Sequence, residues 1–261
     1  LAVKHNLKSK VFSYYLAELY RSSNKLNDEV KVCQNLIKNT NNQKYNFRLV
    51  QAYDGLIVQE VYKKSTLINR IDDVSKQQLK EINNNILSYY DKQIHALLIL
   101  ENAYGKSIKV SKKKQEIYLK TYEVDKALEE IQKLISMDSE NLNYKLEYGE
   151  VLYNLKSKES GIDYIESLTQ KYPRESILYL LLADFYKRDR QLENYKNKLM
   201  DAVSLPGISL EQKVFLVSEL MSIQNGNVDK RIALSLAEKI LELYPQEPQS
   251  HSLLGLSLIH I

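Results

Sequence analysis

Apolar residues recur along this chain at i, i+3 and i+4, the spacing that keeps side chains on one face of an α-helix, and the stripes come in pairs. Between 142 and 209 the pairing is regular enough to write as two lines of 34 residues, LNYKLEYGEVLYNLKSKESGIDYIESLTQKYPRE and SILYLLLADFYKRDRQLENYKNKLMDAVSLPGIS. Aligned, Tyr148-Gly149 lies over Leu182-Ala183, Leu152 over Tyr186, Ile165 over Leu199 and Leu168 over Ala202. Each line holds two stripes and one proline near its end, Pro173 or Pro206. Helix pairs recurring at a fixed period mark a solenoid, in which each pair buries its apolar face on its neighbours.

The period extends outward from this stretch. Phe12, Tyr15, Leu16, Leu19 and Tyr20 make one stripe, and Val30, Cys33, Leu36 and Ile37 the next. A polar break at 24–28 separates them, with Asn27 or Asp28 expected as the N-cap. In a frame starting at Lys10, Leu16-Ala17 and Tyr20 fall where Leu182-Ala183 and Tyr186 fall. Residues 44–107 are less regular. A long helix is expected over 45–62, a short one at 66–71, and a pair at 75–90 and 92–104 ended by Gly105 as its C′ residue. The segment is either two degenerate repeats or an inserted element.

Register returns over 108–141 with Tyr118, Ala127, Ile131 and Leu134, although Lys114-Gln115 stands where Leu-Ala is expected. A unit at 210–247 keeps Leu216, Val217 and Leu220, then Ala233, Ala237 and Ile240 displaced by four residues. A lengthened polar turn, Asn225-Gly226-Asn227-Val228, is expected to absorb the displacement. Pro245 closes that unit and Pro248 opens another, with Leu254-Gly255 in the Leu-Gly slot. The expected organisation is an N-terminal repeat region at 1–43, with its unit at 10–43, and the irregular segment at 44–107. Units at 108–141, 142–175, 176–209 and 210–247 follow, and a further one starts at 248. The last six residues, 256–261, resemble what a common transposase sequencing adapter encodes, and an artefactual tail is expected; the alternative is a natural apolar helix end. The opening at Leu1, without methionine, leads to the expectation of a fragment.

Composition narrows the reading. Hydrophobic residues make up 44% and charged residues 27% of the 261, usual for a soluble globular chain. Seven glycines and four prolines leave few breaks between helices. The net charge of +4 is spread in mixed signs, weak ground for a nucleic-acid partner. Cys33 is the single cysteine, so no internal disulfide and no cysteine-based zinc motif is expected. No run approaches a membrane span. A soluble cytoplasmic or periplasmic chain is expected.

The pattern resembles the tetratricopeptide repeat (TPR) family. The resemblance rests on the period and on small residues at the eighth position (Ala17, Gly149, Ala183, Gly255) with an aromatic three later (Tyr20, Tyr118, Tyr186). It rests also on small or apolar residues at the twentieth, twenty-fourth and twenty-seventh positions, from which Glu29 and Tyr195 depart at the twentieth. It covers about two thirds of the chain, and a bacterial member is expected. The resemblance implies an all-α fold, a right-handed superhelical solenoid of antiparallel helix pairs whose first helices line a concave groove. It implies protein or peptide binding without catalysis or cofactor.

Groove-facing positions in that family are the second, fifth, ninth, twelfth and thirteenth. The ninth reads Glu18, Glu116, Glu150, Asp184 and Ser218, a candidate acidic column; the alternative is a set of solvated carboxylates. The fifth reads Tyr14, Lys112, Leu146, Leu180 and Val214, and Tyr153 and Lys187 stand at the twelfth. The expected ligand is a peptide with basic and aliphatic residues. The Lys and Asn clamp by which some members hold a C-terminal carboxylate is absent, since Leu146 and Glu150 stand at its first two positions.

Other chemistry finds little support. Most of the 20 tyrosines, Tyr20, Tyr118, Tyr186 and Tyr195 among them, are expected in the core, with Tyr14 and Tyr153 open between core and groove. Lys112-Lys113-Lys114 is expected as a solvated helix start. His5, His95 and His251 are too scattered for a metal set. No Ser-His-Asp set or phosphate-binding loop is present in context, and Cys33 is expected as a small buried hydrophobe. A helical-repeat RNA-binding protein is the alternative function. Sugar binding is disfavoured because the chain has no Trp for stacking. The register makes one direct prediction: Ala183→Leu should overpack the helix pair and cost about 1–3 kcal/mol. An unchanged denaturation midpoint would refute the frame.

Overall fold

The structure, a computed structural model, describes residues 10–69, 72–222 and 227–259. Every regular element among them is helical. His5, Asn225 and Gly226, and the last two residues of the expected tail lie outside the described residues. The chain divides into two compact units, Leu1–Ser139 and Glu140–Ile261.

The first unit contains α1 (Lys10–Ser22), α2 (Leu26–Thr40), α3 (Tyr45–Leu67), α4 (Asp73–Tyr104), α5 (Ile108–Lys120) and α6 (Val124–Met137). The second contains α7 (Leu142–Val151), which runs into a π-helical turn at Leu152–Lys156. It continues with α8 (Lys158–Lys171), α9 (Ser176–Arg188), α10 (Leu192–Ser204), α11 (Leu210–Leu220), α12 (Asn227–Leu243) and α13 (Pro248–Ile259). Successive helices pack as antiparallel pairs, and in period and burial the array is TPR-like. The twentieth, twenty-fourth and twenty-seventh positions are buried in all five pairs that follow the frame, from Glu29, Cys33 and Leu36 to Ala233, Ala237 and Ile240. Ala183 is buried between its helices.

One turn geometry recurs inside the pairs. Asn24, Tyr122 and Arg190, 15th in their frames, adopt left-handed backbone with φ of 57°, 59° and 59°. The next residue donates its N–H back to the aromatic at the eleventh position: Lys25 to Tyr20 O at 2.8 Å, Glu123 to Tyr118 O at 2.8 Å and Gln191 to Tyr186 O at 2.9 Å. This six-residue closure satisfies a carbonyl that the helix end would orphan. It also corrects the expected N-cap. Helix α2 starts at Leu26 behind Lys25, with Asn27 and Asp28 inside it, because the second helix begins as soon as the closure is made. In the 142 pair the π-turn takes its place, with Ser157 N–H donating to Leu152 O at 2.8 Å. Between pairs, Tyr179 OH donates to Pro173 O at 3.2 Å, and His251 Nε2 meets Pro245 O at 2.9 Å.

Residues 44–107 form one extended hairpin. The expected break near Asp91 is absent, and 75–90 and 92–104 run as the single helix α4. No glycine or proline interrupts that stretch, so nothing forces a break. Likewise the expected short helix at 66–71 starts as the last residues of α3. Asp72 caps α4 by accepting from Ser75 N–H at 2.8 Å.

Two departures from the repeat pattern are explained by buried charge. Glu29 is fully buried, with Arg21 Nη2 at 2.8 Å and Arg48 Nη2 at 3.5 Å, and Arg48 reaches on to Glu18 at 2.5 Å. Lys114 is 1% exposed and sits 2.6 Å from both Glu101 and Glu130, while Lys133 lies 2.8 Å from Glu130 and 3.5 Å from Glu101. At Tyr195 the ring is buried and the hydroxyl donates to Asp229 at 3.2 Å. Buried charges are tolerated only when paired in this way.

Three outcomes follow from the packing. A Cβ on Gly161 would stand 2.5–2.7 Å from the Cβ, N and Cα of Tyr153, whereas one on Gly149 would meet the end of the Ile165 side chain at 2.4 Å. Backbone yields less than a rotamer, so Gly161→Ala should cost about 1–3 kcal/mol and more than Gly149→Ala, measured by urea denaturation. Lys114→Met should cost about 3–5 kcal/mol by leaving two carboxylates on Lys133 alone. Adding Glu130→Met should recover part of that loss, and additive costs in a double-mutant cycle would show that the pair is not coupled.

The third outcome is a pH dependence. Burial raises the Glu101 carboxyl, but the hydrogen bond and charge of Lys114, with the charge of Lys133, outweigh it and hold the group below its ordinary 4.5. A carboxylate depressed in the folded chain stabilises above its unfolded value, and the stabilisation is lost as pH falls through the folded one. The melting temperature should therefore drop below about pH 4.5, and less steeply in Lys114→Met.

Candidate functional site

Helices α9 and α11 open consecutive pairs, and both carry more apolar surface than the core takes. From α9, Leu178, Leu182 and Phe185 are buried, which leaves Ile177 exposed and Leu180 half-buried. From α11, Val217 and Leu220 are buried, and Phe215 is 65% exposed. Ile177, Leu180, Ile208, Phe215 and Leu216 line a groove of about 560 Å³ between them. Its polar lining is Glu211, Gln212 and Glu219, two carboxylates with no cationic side chain.

The sequence around α11 holds this wall in place. Ser209 and Gln212 form a capping box: Gln212 N–H donates to Ser209 Oγ at 3.3 Å, and Ser209 N–H donates to Gln212 Oε1 at 3.0 Å. The backbone N–H of Glu211 and the Ser209 hydroxyl hold the Glu211 carboxyl below the usual carboxylate range. Lys213 is buried beneath α11, where its Nζ donates to Tyr244 OH at 2.9 Å and sits over that ring. Lys145 repeats the arrangement on Tyr172 at 2.7 Å. Each lysine is fourth in its pair, and each tyrosine immediately precedes the closing proline.

The expected groove residues divide into several groups. Leu180 lines the groove, Leu146 is half-buried and Glu150 is exposed. Most of the acidic column is locally compensated. Glu18 pairs with Arg48, Glu116 with Lys113 at 3.1 Å and Lys120 at 2.5 Å, and Asp184 with Arg188. Hydrogen bonds from Arg48 pull Glu18 down, and those from Lys120 and Lys113 do the same for Glu116 against the upward push of burial. Glu18 and Glu116 belong to the first unit, Glu150 and Asp184 to the second. Lys187 lies 3.2 Å from Asp229. Tyr14 is exposed, with the Arg48 guanidinium 4.7 Å from its ring centroid.

Tyr153 is corrected. It is 5% exposed, stacked on Phe185 at 3.9 Å between centroids, and donates its hydroxyl to Phe185 O and Asp189 at 3.0 Å each. The π-turn adds a residue's width to the helix at that point and turns the ring inward. Tyr118, Tyr186 and Tyr195 are buried and Tyr20 half-buried. In Lys112-Lys113-Lys114, only Lys112 is exposed, so the expectation of a solvated run fails at Lys113 and Lys114, which are drawn into ion pairs.

Ile177, Glu211 and Phe215 escaped the sequence reading. Ile177 and Glu211 stand at the second position of their pairs, one of the groove-facing positions, and that signal was readable. Phe215 is sixth and carried none. For covalent chemistry, Cys33 is buried and its thiol is pushed up to about 11 by burial, so it is not a thiolate near neutrality. Among the described residues no group of His, Cys, Asp and Glu could hold a metal ion, and no helix is long and apolar enough to cross a membrane.

No family model matches this chain, and no curated protein matches it. Solved structures are similar at low identity. A tetratricopeptide repeat protein from Parabacteroides merdae is 11% identical over 96% of this chain and 99% of its own, with a TM-score of 0.38. Yeast Tom70 is 14% identical over 92% of this chain and 53% of its own, with a TM-score of 0.39. The Cut9-Hcn1 structure is 11% identical over 98% and 57%, with a TM-score of 0.33. The chain thus spans little more than half the length of the last two.

Proposed function

We propose that this helical-repeat scaffold binds protein segments, and that the α9–α11 groove takes a peptide with an aliphatic or aromatic anchor flanked by lysine or arginine. The single supporting observation is the composition of the groove: five apolar residues with Glu211 and Glu219 and no basic side chain. Apolar burial supplies most of the affinity in such a groove, and the flanking carboxylates set the preferred charge. Tyr14, Glu18 and Glu116 in the first unit, and Leu146, Glu150, Asp184 and Lys187 in the second, remain proposed binding residues, each set within its own unit. Glu150 is exposed and is the carboxylate of these with no ion pair among the described residues. A nucleic-acid backbone is a poorer ligand for this groove, because its phosphates would face two carboxylates.

Peptide arrays varying anchor and flanking charge test the reading. Peptides with Leu or Phe between Lys or Arg should bind, and Phe215→Ser should weaken them at least about tenfold, equivalent to about 1.4 kcal/mol. The melting temperature should barely move, because Phe215 is exposed. Arrays on which acidic and basic peptides bind alike, or binding that survives Phe215→Ser, would remove the basis of the proposal.

A further inference from the structure

The extended α3–α4 hairpin has no counterpart in the repeat, and its outer half contributes little to the core. Helix α3 buries residues from Asn46 to Glu60, and beyond them Val61 and Tyr62 are exposed, as is Ile68 at its C-cap. On α4, Val74 and Leu87 are exposed. Between this outer half and the α5–α6 turn lies a cleft of about 680 Å³. Val61, Ile68, Ile86, Leu87, Tyr90 and Tyr122 give it an apolar lining. Tyr122, in the left-handed turn residue, is 81% exposed. An apolar residue so exposed is not placed there by packing.

The charge of the cleft is opposite to that of the α9–α11 groove. Lys64 and Lys120 line it, and no carboxylate does. Lys120 is paired with Glu116 at 2.5 Å, whereas Lys64 makes no ion pair among the described residues. A ligand entering here would bury apolar surface beside an ammonium group with no ion-pair partner among the described residues.

We infer that this cleft is a second docking surface, and that it takes an acidic segment of a partner protein presenting aliphatic or aromatic residues between Asp or Glu side chains. The two lysines and the absence of any lining carboxylate select an acidic occupant by charge complementarity, and a second copy of the chain is distinguished from it by the test. The carboxylates of such a segment would reach Lys64 while its apolar residues cover Leu87 and Tyr122. The inference concerns the first unit alone and does not rest on the groove of the second.

The test uses the whole chain and a fluorescein-labelled synthetic peptide with Glu-rich flanks around leucines at helical spacing. Controls are its scrambled version and a Lys-rich counterpart. The Glu-rich peptide should bind, weaken as salt rises, and lose at least about tenfold in affinity in Leu87→Ser and in Lys64→Glu. Phe215→Ser should leave it unchanged. Circular dichroism melts of the two cleft variants should match the parent, since Leu87 is exposed and Lys64 only half-buried. The inference is overturned if the scrambled or Lys-rich peptide binds as well, or if both cleft variants bind normally. It is equally overturned if Leu87→Ser abolishes self-association in sedimentation, or binding to anionic vesicles, while the peptide never binds.

Discussion

Everything in this fold depends on how closely two helices of a pair can approach. The approach is set at a few positions where a side chain must be small or must be replaced by something that satisfies itself. At Gly161 the limit is tight, because the backbone of Tyr153 occupies the space a Cβ would need. At Gly149 the obstruction is only the tip of Ile165. The same eighth slot at Gly255 meets nothing within 4 Å, so its small residue is not required by any described neighbour. Identical residues in one frame therefore carry different constraints, and only the partner helix reveals which.

At two places where the expected residue is missing, charge takes over. Glu29 fills a slot meant for alanine and is held by two arginines; Lys114 replaces leucine and is held by two glutamates. Both clusters lie in the first unit, beside the extended hairpin that also departs from the period. Arg48 on α3 and Glu101 on α4 supply part of each cluster, so the hairpin and the ion pairs are one adaptation. A buried pair is weak as a source of stability but severe against wrong partners, because a shifted register would strand a charge. These clusters therefore fix which helix packs on which.

Most of the second unit was legible in the sequence because its stripes obey both the helix period and the repeat period. Ile165, Leu199 and Ala237 were placed by arithmetic, and all are buried. What was hidden depended on backbone rather than on residue type. The π-turn at Leu152–Lys156 carries no composition signal, yet it decides that Tyr153 faces inward. The left-handed turns fall on Asn24, Tyr122 and Arg190, of which only asparagine advertises that geometry. The single helix α4 replaces the expected pair at 75–90 and 92–104, and no glycine or proline in it forces a break. The acidic column was visible as letters, but its compensation by Arg48, Lys120 and Arg188 was not, since those partners sit at other frame positions or on other helices.

That compensation changes what the carboxylates can do. A row of acids four residues from bases on the same helix, as in Asp184 and Arg188, presents little field beyond a few ångströms in physiological salt. For the proposed ligands, selectivity would then come from charges set beside apolar surface, where a ligand displaces water and the local interaction strengthens. The groove of the second unit and the cleft of the first both meet that condition. The α9–α11 groove sets carboxylates beside Phe215, and the hairpin cleft sets Lys64 beside Leu87 and Tyr122. A net charge of +4 over 261 residues is nearly silent about either of them. The sign of a scaffold's partner is written groove by groove, in the few charged side chains that border exposed apolar ones.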